Sequence, residues 1–253
     1  MADQFEKTEV FDIINFTIIE STLCGKAIRT ICEGASSMEV AANRVVGLLY
    51  DGLLDGVGQR ACVLVRFFKT QAYGDLDDEL QAVAHDVLQD LCPLPDMKCL
   101  TLLATAGDEP DWNSRRCSQG HRAIPLLSEQ AVSKAPMIVS LFEQMGISVG
   151  KFINPAPKYL LDMSRTNFNV FHIPLAQGSP EIPCQPNFIV PYGIRSVLGF
   201  GGVLPSGEMF AVIMFFKVPV THETALLFKI LSLNVKMALL PLENQVFEAR
   251  GTP

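Results

Sequence analysis

The sequence predicts an α+β fold with a central antiparallel β-sheet of about five to six strands. Segments rich in β-branched and aromatic residues alternate along the chain with amphipathic helical segments. Two apolar segments near the C-terminus are joined by a short turn containing Pro and Gly, which is typical of an antiparallel hairpin. The chain has 253 residues, of which 49% are hydrophobic, so it can build a full core.

The first half of the chain predicts helices and two strands. Residues 9–32 fit a helical spacing loosely, although the β-branched run 13–19 leaves a strand open. Ser36 and Glu39 have the spacing of a capping box, and the apolar stripe that follows predicts a helix ending near Leu54. The remaining predictions are a strand at 61–70, a solvent-facing helix at 75–91 and a second strand at 98–106.

The second half predicts a helix at 128–146, in which Pro136 either lies near the start or divides the helix in two. An alternating strand at 166–175 is followed by a proline-rich stretch that we expect to run extended over the surface. Strands at 196–203 and 209–217 form the hairpin, and the second is apolar on both faces, as in the middle of a sheet. Thr221 then caps a helix that ends at Pro241.

This last helix carries two apolar rows, which indicates two packing partners. One partner is the sheet. The other is either a helix of a second copy of the chain or the N-terminal helices of the same chain. The row with heptad-like spacing is the predicted homodimer contact: Leu226, Ile230, Leu233, Met237 and Leu240. The second row contains Leu227, Leu231, Val235 and Ala238.

Charge and composition argue against several classes of protein. The net charge of -7 and the lack of a Lys/Arg-rich run argue against binding to nucleic acid. The N-terminus does not resemble a signal peptide, and charges interrupt each apolar run, so we expect no membrane span and a cytoplasmic location. Seven cysteines without a CxxC pair favour free thiols. A mean hydropathy of +0.26 favours a surface covered by a partner subunit.

The hairpin and helix from Arg195 to Leu240, together with the strand and loop from Leu100 to Leu127, resemble a GAF domain. They are similar to the GAF-like sensory regions of bacterial signalling proteins, including those ahead of histidine kinases. The resemblance implies terminal helices on one face of the sheet and a ligand pocket under loops on the other. It implies a single domain over 1–253, with an N-terminal helical segment 1–57, a core 58–241 and a tail 242–253. The segments 75–91 and 151–190 are longer than is usual in this family.

The resemblance further implies a non-catalytic module that binds a small molecule of unknown identity, with no cofactor assigned. We expect the ligand between the sheet and the loops 108–124 and 177–192. Its signal would pass through pairing of the terminal helices or through a separate output protein such as a kinase, since the tail after Pro241 is short. The candidate ligand-binding residues are Trp112, His121, Arg122, His172, Arg195 and Phe200.

Each candidate also has a purely structural interpretation. Trp112 either stacks on a ligand ring or anchors its loop by packing. Arg122 and Arg195 either clamp an anionic group or pair with surface carboxylates. His172 lies in an apolar strand, where a hydrogen-bonded core histidine is more common than a ligand-binding one.

Two alternative functions remain open. Cys117 lies near several arginines that would favour its thiolate, as in a redox enzyme or redox sensor; free methionine sulfoxide reductases, which have GAF-type domains, use pocket cysteines in this way. Cys117 and His121, with His172 and Cys184, form a weak metal-binding pattern, and we predict no metal site. The last alternative is a structural interaction protein whose pocket is filled by its own side chains.

Overall fold

The architecture is a sheet with helices on both faces, seen in a computed structural model that describes residues 9–88, 91–118, 120–156, 162–163, 166, 169–182 and 184–248. The strands are β1 (Phe11–Asp12), β2 (Leu53–Leu54), β3 (Cys62–Ala72), β4 (Lys98–Gly107), β5 (Ala123–Pro125), β6 (Phe171–Ile173), β7 (Ser196–Val203) and β8 (Met209–Phe216). The first two form a small parallel pair. The other six form one antiparallel sheet in the order β5-β4-β3-β8-β7-β6, which confirms the predicted α+β class.

The helices surround this sheet on both faces. They are α1 (Ile18–Cys32), α2 (Met38–Gly52), α3 (Asp78–Leu88), α4 (Glu129–Val132), α5 (Pro136–Met145), α6 (Val149–Ile153), α7 (His222–Leu227) and α8 (Lys229–Leu239). The face covered by α1, α2 and α8 is called the helix face, and the opposite one the loop face. Helices from both chain ends therefore share one face, as predicted.

The central strands β3 and β8 are apolar on both sides, so the sheet has a separate core on each face. Every residue of β8 is buried. On the helix face, Phe67 and Phe210 stack with ring centroids 6.0 Å apart. On the loop face, Phe142 of α5 packs edge-to-face on Phe152 of α6 at 5.4 Å. The prediction that the second hairpin strand lies inside a sheet is confirmed.

Local capping interactions explain why the N-terminal segment is helical. The Thr17 side chain accepts a hydrogen bond from Glu20 N, while Thr17 N donates to Glu20 Oε2 at 2.8 Å, so α1 begins with a complete capping box. The capping box predicted for Ser36 and Glu39 is wrong. Ser37 caps α2 instead, its Oγ accepting from Val40 N at 3.2 Å. Glu39 forms a tertiary ion pair, described below.

Proline explains most other departures from the predicted elements. Pro136 divides the predicted helix 128–146 into α4 and α5, because its ring cannot continue a helix from the preceding turn. The proline-rich stretch that was expected to be extended contains a π-helical turn over Gln185–Ile189. The loop face consequently carries α4, α5 and α6 as well as loops.

The two apolar rows of the C-terminal helix differ in burial. Leu231, Val235 and Leu239 are buried, whereas Leu233 and Met237 of the predicted dimer row are 56% and 51% exposed. The described stretch His222–Leu242 has 21 residues and contains an 18-residue window with a mean hydropathy of 1.7, which by length and composition alone is sufficient to cross a membrane. Its buried row belongs to the helix-face core.

Candidate functional site

The loop face of β3 carries a charged side chain at its centre, Arg66. Its chain neighbours Val65 and Phe67 belong to the helix-face core, so strand alternation places Arg66 on the loop face. In the register of the sheet it lies opposite Thr105 on β4 and Ile213 on β8. A strong β-forming segment, CVLVRFF, therefore carries a cation into the middle of an otherwise apolar surface.

The Arg66 side chain is half-buried, and its guanidinium uses only part of its hydrogen-bonding capacity. Its Nη2 donates to Ser118 Oγ at 2.9 Å. Its Nε is buried and has no hydrogen-bond partner among the described residues. Burial lowers the pKa of Arg66 to about 10. No carboxylate of the described ranges forms an ion pair with it.

Two hydroxyl side chains complete this arrangement. Thr105, directly across the ladder, is 3% exposed, and its Oγ1 has no hydrogen-bond partner among the described residues. Ser118 is 2% exposed. Buried polar atoms in native proteins are nearly always hydrogen-bonded, so each unpaired one needs an explanation. We name Arg66, Thr105 and Ser118 together the Arg66 cluster.

A single turn of backbone presents Ser118 to the cluster. Cys117 N and Ser118 N both donate to Ser114 O, at 3.2 and 3.0 Å, and so form a turn over 114–118. The same turn places Arg115 against Glu39 of α2, with Nε 2.5 Å from Oε1 and Nη2 3.2 Å from Oε2. The turn therefore connects the loop face with the helical layer.

The loops predicted to enclose the ligand contact each other through aromatic side chains. The Trp112 ring lies 4.7 Å from that of Tyr192 and 5.5 Å from that of Phe188, measured between centroids. Tyr192 Oη also donates to Glu109 Oε1 at 3.0 Å. Trp112 thus joins the loops 108–124 and 177–192, which is the packing role considered for it.

Two other predicted ligand residues lie on the opposite face of the sheet. His172 Nε2 is 2.9 Å from Val220 O, and its ring is stacked on His222 at 6.0 Å. Phe200 belongs to the helix-face core, 6.0 Å from Phe228. Neither is near the Arg66 cluster.

The remaining predicted residues are Arg122, Arg195 and His121. Partial desolvation and the nearby charge of Arg66 lower the pKa of His121, so its imidazole lies near the Arg66 cluster. Arg122 Nη2 is 2.5 Å from Glu79 Oε1 of α3, so its charge is paired. Arg195 and His121 are exposed, and His121 has a left-handed backbone with φ of 56°. The structure therefore does not bring the six predicted residues together in one site.

The thiols give no metal-binding geometry. All seven cysteines are free, and Cys117 and Cys184 are exposed. Within the described ranges no group of three or more His, Cys, Asp or Glu side chains is arranged to hold a metal ion. Cys117 remains an accessible thiol beside Ser118.

A second polar group on the loop face lies in a groove of about 480 Å³ beside α5. Ser140 Oγ donates to Glu181 Oε2, and Gln144 Nε2 donates to Ser140 Oγ at 3.0 Å. Gln144 Oε1 accepts from His172 N at 2.7 Å. These groups tie α5 to β6 and use one another as partners, in contrast to the Arg66 cluster.

Sequence reasoning missed Arg66, Thr105 and Ser118. A usable signal was present for Arg66, since a lone arginine in the interior of a strand with apolar neighbours on both faces is a buried charge. Thr105 and Ser118 gave no such signal, because hydroxyl residues occur widely in strands and loops.

No protein-family model matches the sequence, and no curated protein matches it. Among solved structures, the chain is similar to free methionine-R-sulfoxide reductase from Neisseria meningitidis in complex with its substrate. That similarity has a TM-score of 0.46 and 9% identity, and it covers 92% of this chain and 95% of the other. The chain is also similar to the chromophore-binding domain of an unusual bacteriophytochrome from R. palustris, with a TM-score of 0.41, 9% identity and coverage of 89% and 63%. At these values neither similarity bears on ligand or activity.

Proposed function

We propose that this chain is a non-catalytic, GAF-like sensory module that binds a small molecule at the Arg66 cluster. The observation that carries the proposal is a half-buried arginine whose buried Nε has no hydrogen-bond partner among the described residues and to which no described carboxylate is paired. The cluster lies beneath the first of the two loops that the sequence predicts to enclose a ligand, since Ser118 belongs to that loop.

Energetics support a binding role for this arrangement. Removing a charged group from water costs several kcal/mol, on the order of the whole contribution of a large apolar side chain, unless the charge is paired. A sequence selected for stability alone would place an apolar residue at the centre of β3. A perturbed ionisable group in a largely apolar surround is a recognised mark of a functional site.

The turn 114–118 offers a route for the signal. Ser118 contacts Arg66, while Arg115 in the same turn contacts Glu39 at the start of α2. The C-terminal segment also binds there: Glu248 N donates to Glu39 Oε2 at 3.0 Å, and Met38 N donates to Gln245 O at 2.8 Å. A ligand that moves the turn would disturb this contact between chain ends.

The output is proposed to be pairing of terminal helices in a cytoplasmic homodimer, or contact with a separate output protein such as a kinase. The exposed Leu233 and Met237 support the helix-pairing version. Sedimentation of Leu233→Arg/Met237→Arg tests it, with Val57→Arg as a matched control, because Val57 is 80% exposed and distant in sequence from the row. The double variant should be monomeric where the wild type and control are dimeric; a monomeric wild type removes this version.

Native mass spectrometry of the purified protein tests the binding function. We expect an extra mass that is lost on denaturation, absent from Arg66→Met and retained in Arg116→Met, whose parent side chain is exposed. An extra mass that persists in Arg66→Met would move the site elsewhere. If no mass is retained and no added small molecule raises the melting temperature, the sensory function is lost.

One observation favours the redox alternative. Cys117 is an exposed free thiol, and it directly precedes Ser118 of the Arg66 cluster in the sequence. The rate of alkylation at neutral pH distinguishes the two functions, with exposed Cys92 as an internal reference. Under the binding proposal the two thiols react at similar rates. A Cys117 that reacts about tenfold or more faster than Cys92 would favour the redox function.

A further inference from the structure

We infer that the group meeting Arg66 is a carboxylate, and that the ligand is a small monocarboxylic acid with an apolar body. This inference rests on the proposed function and specifies the chemical class of its ligand. It follows from the donors of the Arg66 cluster, from its charge and from the side chains around it.

The available donors of Arg66 lie along one edge of its guanidinium. Nε and Nη2 are neighbours on that edge; Nε has no partner, and Nη2 spends one of its two hydrogens on Ser118 Oγ. Two parallel N–H groups fit the two oxygens of a carboxylate. Thr105 Oγ1 lies opposite Arg66 in the ladder and has a hydroxyl hydrogen to offer as a further donor.

The protein contains an internal example of this recognition. Arg115 uses the same Nε and Nη2 edge to hold the two carboxylate oxygens of Glu39, with both side chains buried. The side-on pair therefore forms at Arg115 from residues of the chain, whereas at Arg66 the carboxylate has to come from a ligand.

The charge of the site favours a monoanion. Arg66 has no ion-pair partner among the described residues. Partial desolvation and the Arg66 charge lower the pKa of His121, which favours its neutral form. One positive charge balances a carboxylate, while a phosphate dianion would retain an excess of negative charge in a low-dielectric site.

The surroundings favour an apolar body. Leu64, Phe68 and Ile213 lie on the loop face around Arg66 and are 2%, 8% and 3% exposed. A ligand reaching Arg66 therefore contacts aliphatic and aromatic carbon over most of its surface, and its polar recognition is concentrated at one end.

The test is NMR of the full chain labelled with ¹⁵N-arginine, in which the Nε–H resonance of Arg66 is assigned by its loss in Arg66→Lys. Benzoate and butyrate are the probes, with benzamide and inorganic phosphate as comparison ligands. We expect a saturable shift of the Arg66 Nε–H with a carboxylate and none with benzamide, while Arg115 Nε–H stays fixed because Glu39 already occupies it.

Two variants separate the contribution of the planar guanidinium edge from that of the other donors and of the charge. Arg66→Lys keeps the cation and loses the planar edge, so we expect at least about tenfold weaker binding. Thr105→Val keeps the shape and loses one donor, for which about fivefold to tenfold weaker binding is expected. Isothermal titration calorimetry with benzoate compares the affinities, because Arg66→Lys has no arginine Nε–H to observe. Equal affinity in wild type and Arg66→Lys would contradict side-on carboxylate recognition.

The outcomes distinguish the two levels of the proposal. If benzamide shifts Arg66 as strongly as benzoate, or if phosphate binds and the carboxylates do not, the ligand class is wrong and the binding function stands. If no probe shifts Arg66, the molecule retained in native mass spectrometry decides: a carboxylic acid upholds the class, and any other molecule overturns it. If no molecule is retained either, both proposals fail.

Discussion

Arg66 is half-buried and Arg115 is buried, and the two differ in what surrounds the guanidinium. Arg115 is 6% exposed, forms a side-on pair with Glu39 and lies 4.9 Å over the ring of Phe247. Arg66 donates to one hydroxyl and has no carboxylate partner among the described residues. Each arginine also has one buried nitrogen without a hydrogen-bond partner in the described ranges, Nε in Arg66 and Nη1 in Arg115. The first charge is matched by the fold. The second is not, although its Nε is shielded from water.

The difference teaches which buried charge holds the structure and which is available to a ligand. Removing one member of a buried pair leaves the other charge unmatched, so either single substitution destabilises the fold. Removing Arg66 leaves no charge unmatched and leaves one neutral group, the Ser118 hydroxyl, without its donor. Stability measurements on the two arginines should therefore differ in sign, and the following predictions start with the largest effect.

Arg115→Met should lower the free energy of unfolding by about 3–5 kcal/mol, because it leaves the buried Glu39 carboxylate without its ion-pair partner. Urea unfolding measures this. The double variant Arg115→Met/Glu39→Met should recover much of the loss, and Arg116→Met, one residue along and exposed, should change stability by less than about 0.5 kcal/mol. A loss below about 1 kcal/mol for Arg115→Met would mean that the pair contributes little.

Arg66→Met should leave the ligand-free protein as stable as the wild type or stabilise it by roughly 1–2 kcal/mol, since a desolvated charge is replaced by an apolar chain of similar length. The measurement is the same urea titration after extensive dialysis. If Arg66→Met instead destabilises the ligand-free protein by several kcal/mol, Arg66 has a structural partner and the comparison breaks down.

Lys69 extends the comparison to a buried cation that titrates in an accessible range. It is 3% exposed, its Nζ donates to Thr70 O at 2.8 Å and to Gln71 Oε1 at 2.7 Å, and burial lowers its pKa from 10.5 to about 8. Between those two values the unfolded chain binds more protons than the folded chain, so this group makes stability rise with pH.

The wild type should therefore gain about 1 kcal/mol relative to Lys69→Met between pH 8 and pH 9. Urea unfolding at both pH values measures the gain. The difference between the two proteins cancels the opposing contribution of the thiols whose pKa is raised by burial, such as Cys32 with a pKa of about 11. A difference that is flat or falls with pH would show that Lys69 keeps its proton in the folded state.

Arg122→Gln should have the smallest effect, about 0.2–1 kcal/mol, because its partner Glu79 is 46% exposed and solvent screens the pair. Thermal unfolding at low and high salt measures it, and the effect should shrink at high salt. A salt-independent loss of several kcal/mol would place Arg122 with Arg115 among the charges that hold the fold.

The sequence by itself determined the secondary structure wherever the signal was local. The hairpin was predicted at 196–203 and 209–217 and observed at Ser196–Val203 and Met209–Phe216. Thr221 caps the following helix as predicted, its side chain accepting from Thr224 N at 3.2 Å. Apolar periodicity and capping depend on residues a few positions apart, so they can be recognised without tertiary structure.

Only the tertiary structure decided which polar groups meet. Glu39 looked like half of a capping box, yet it pairs with Arg115, which lies 76 positions along the chain. Arg66, Thr105 and Ser118 come together through the register of β3 with β4 and the turn that follows. Such contacts between distant residues depend on how all the layers pack at once, and no spacing in the chain records them. The candidate site therefore became visible only when the strands were paired and the unmatched charge could be recognised.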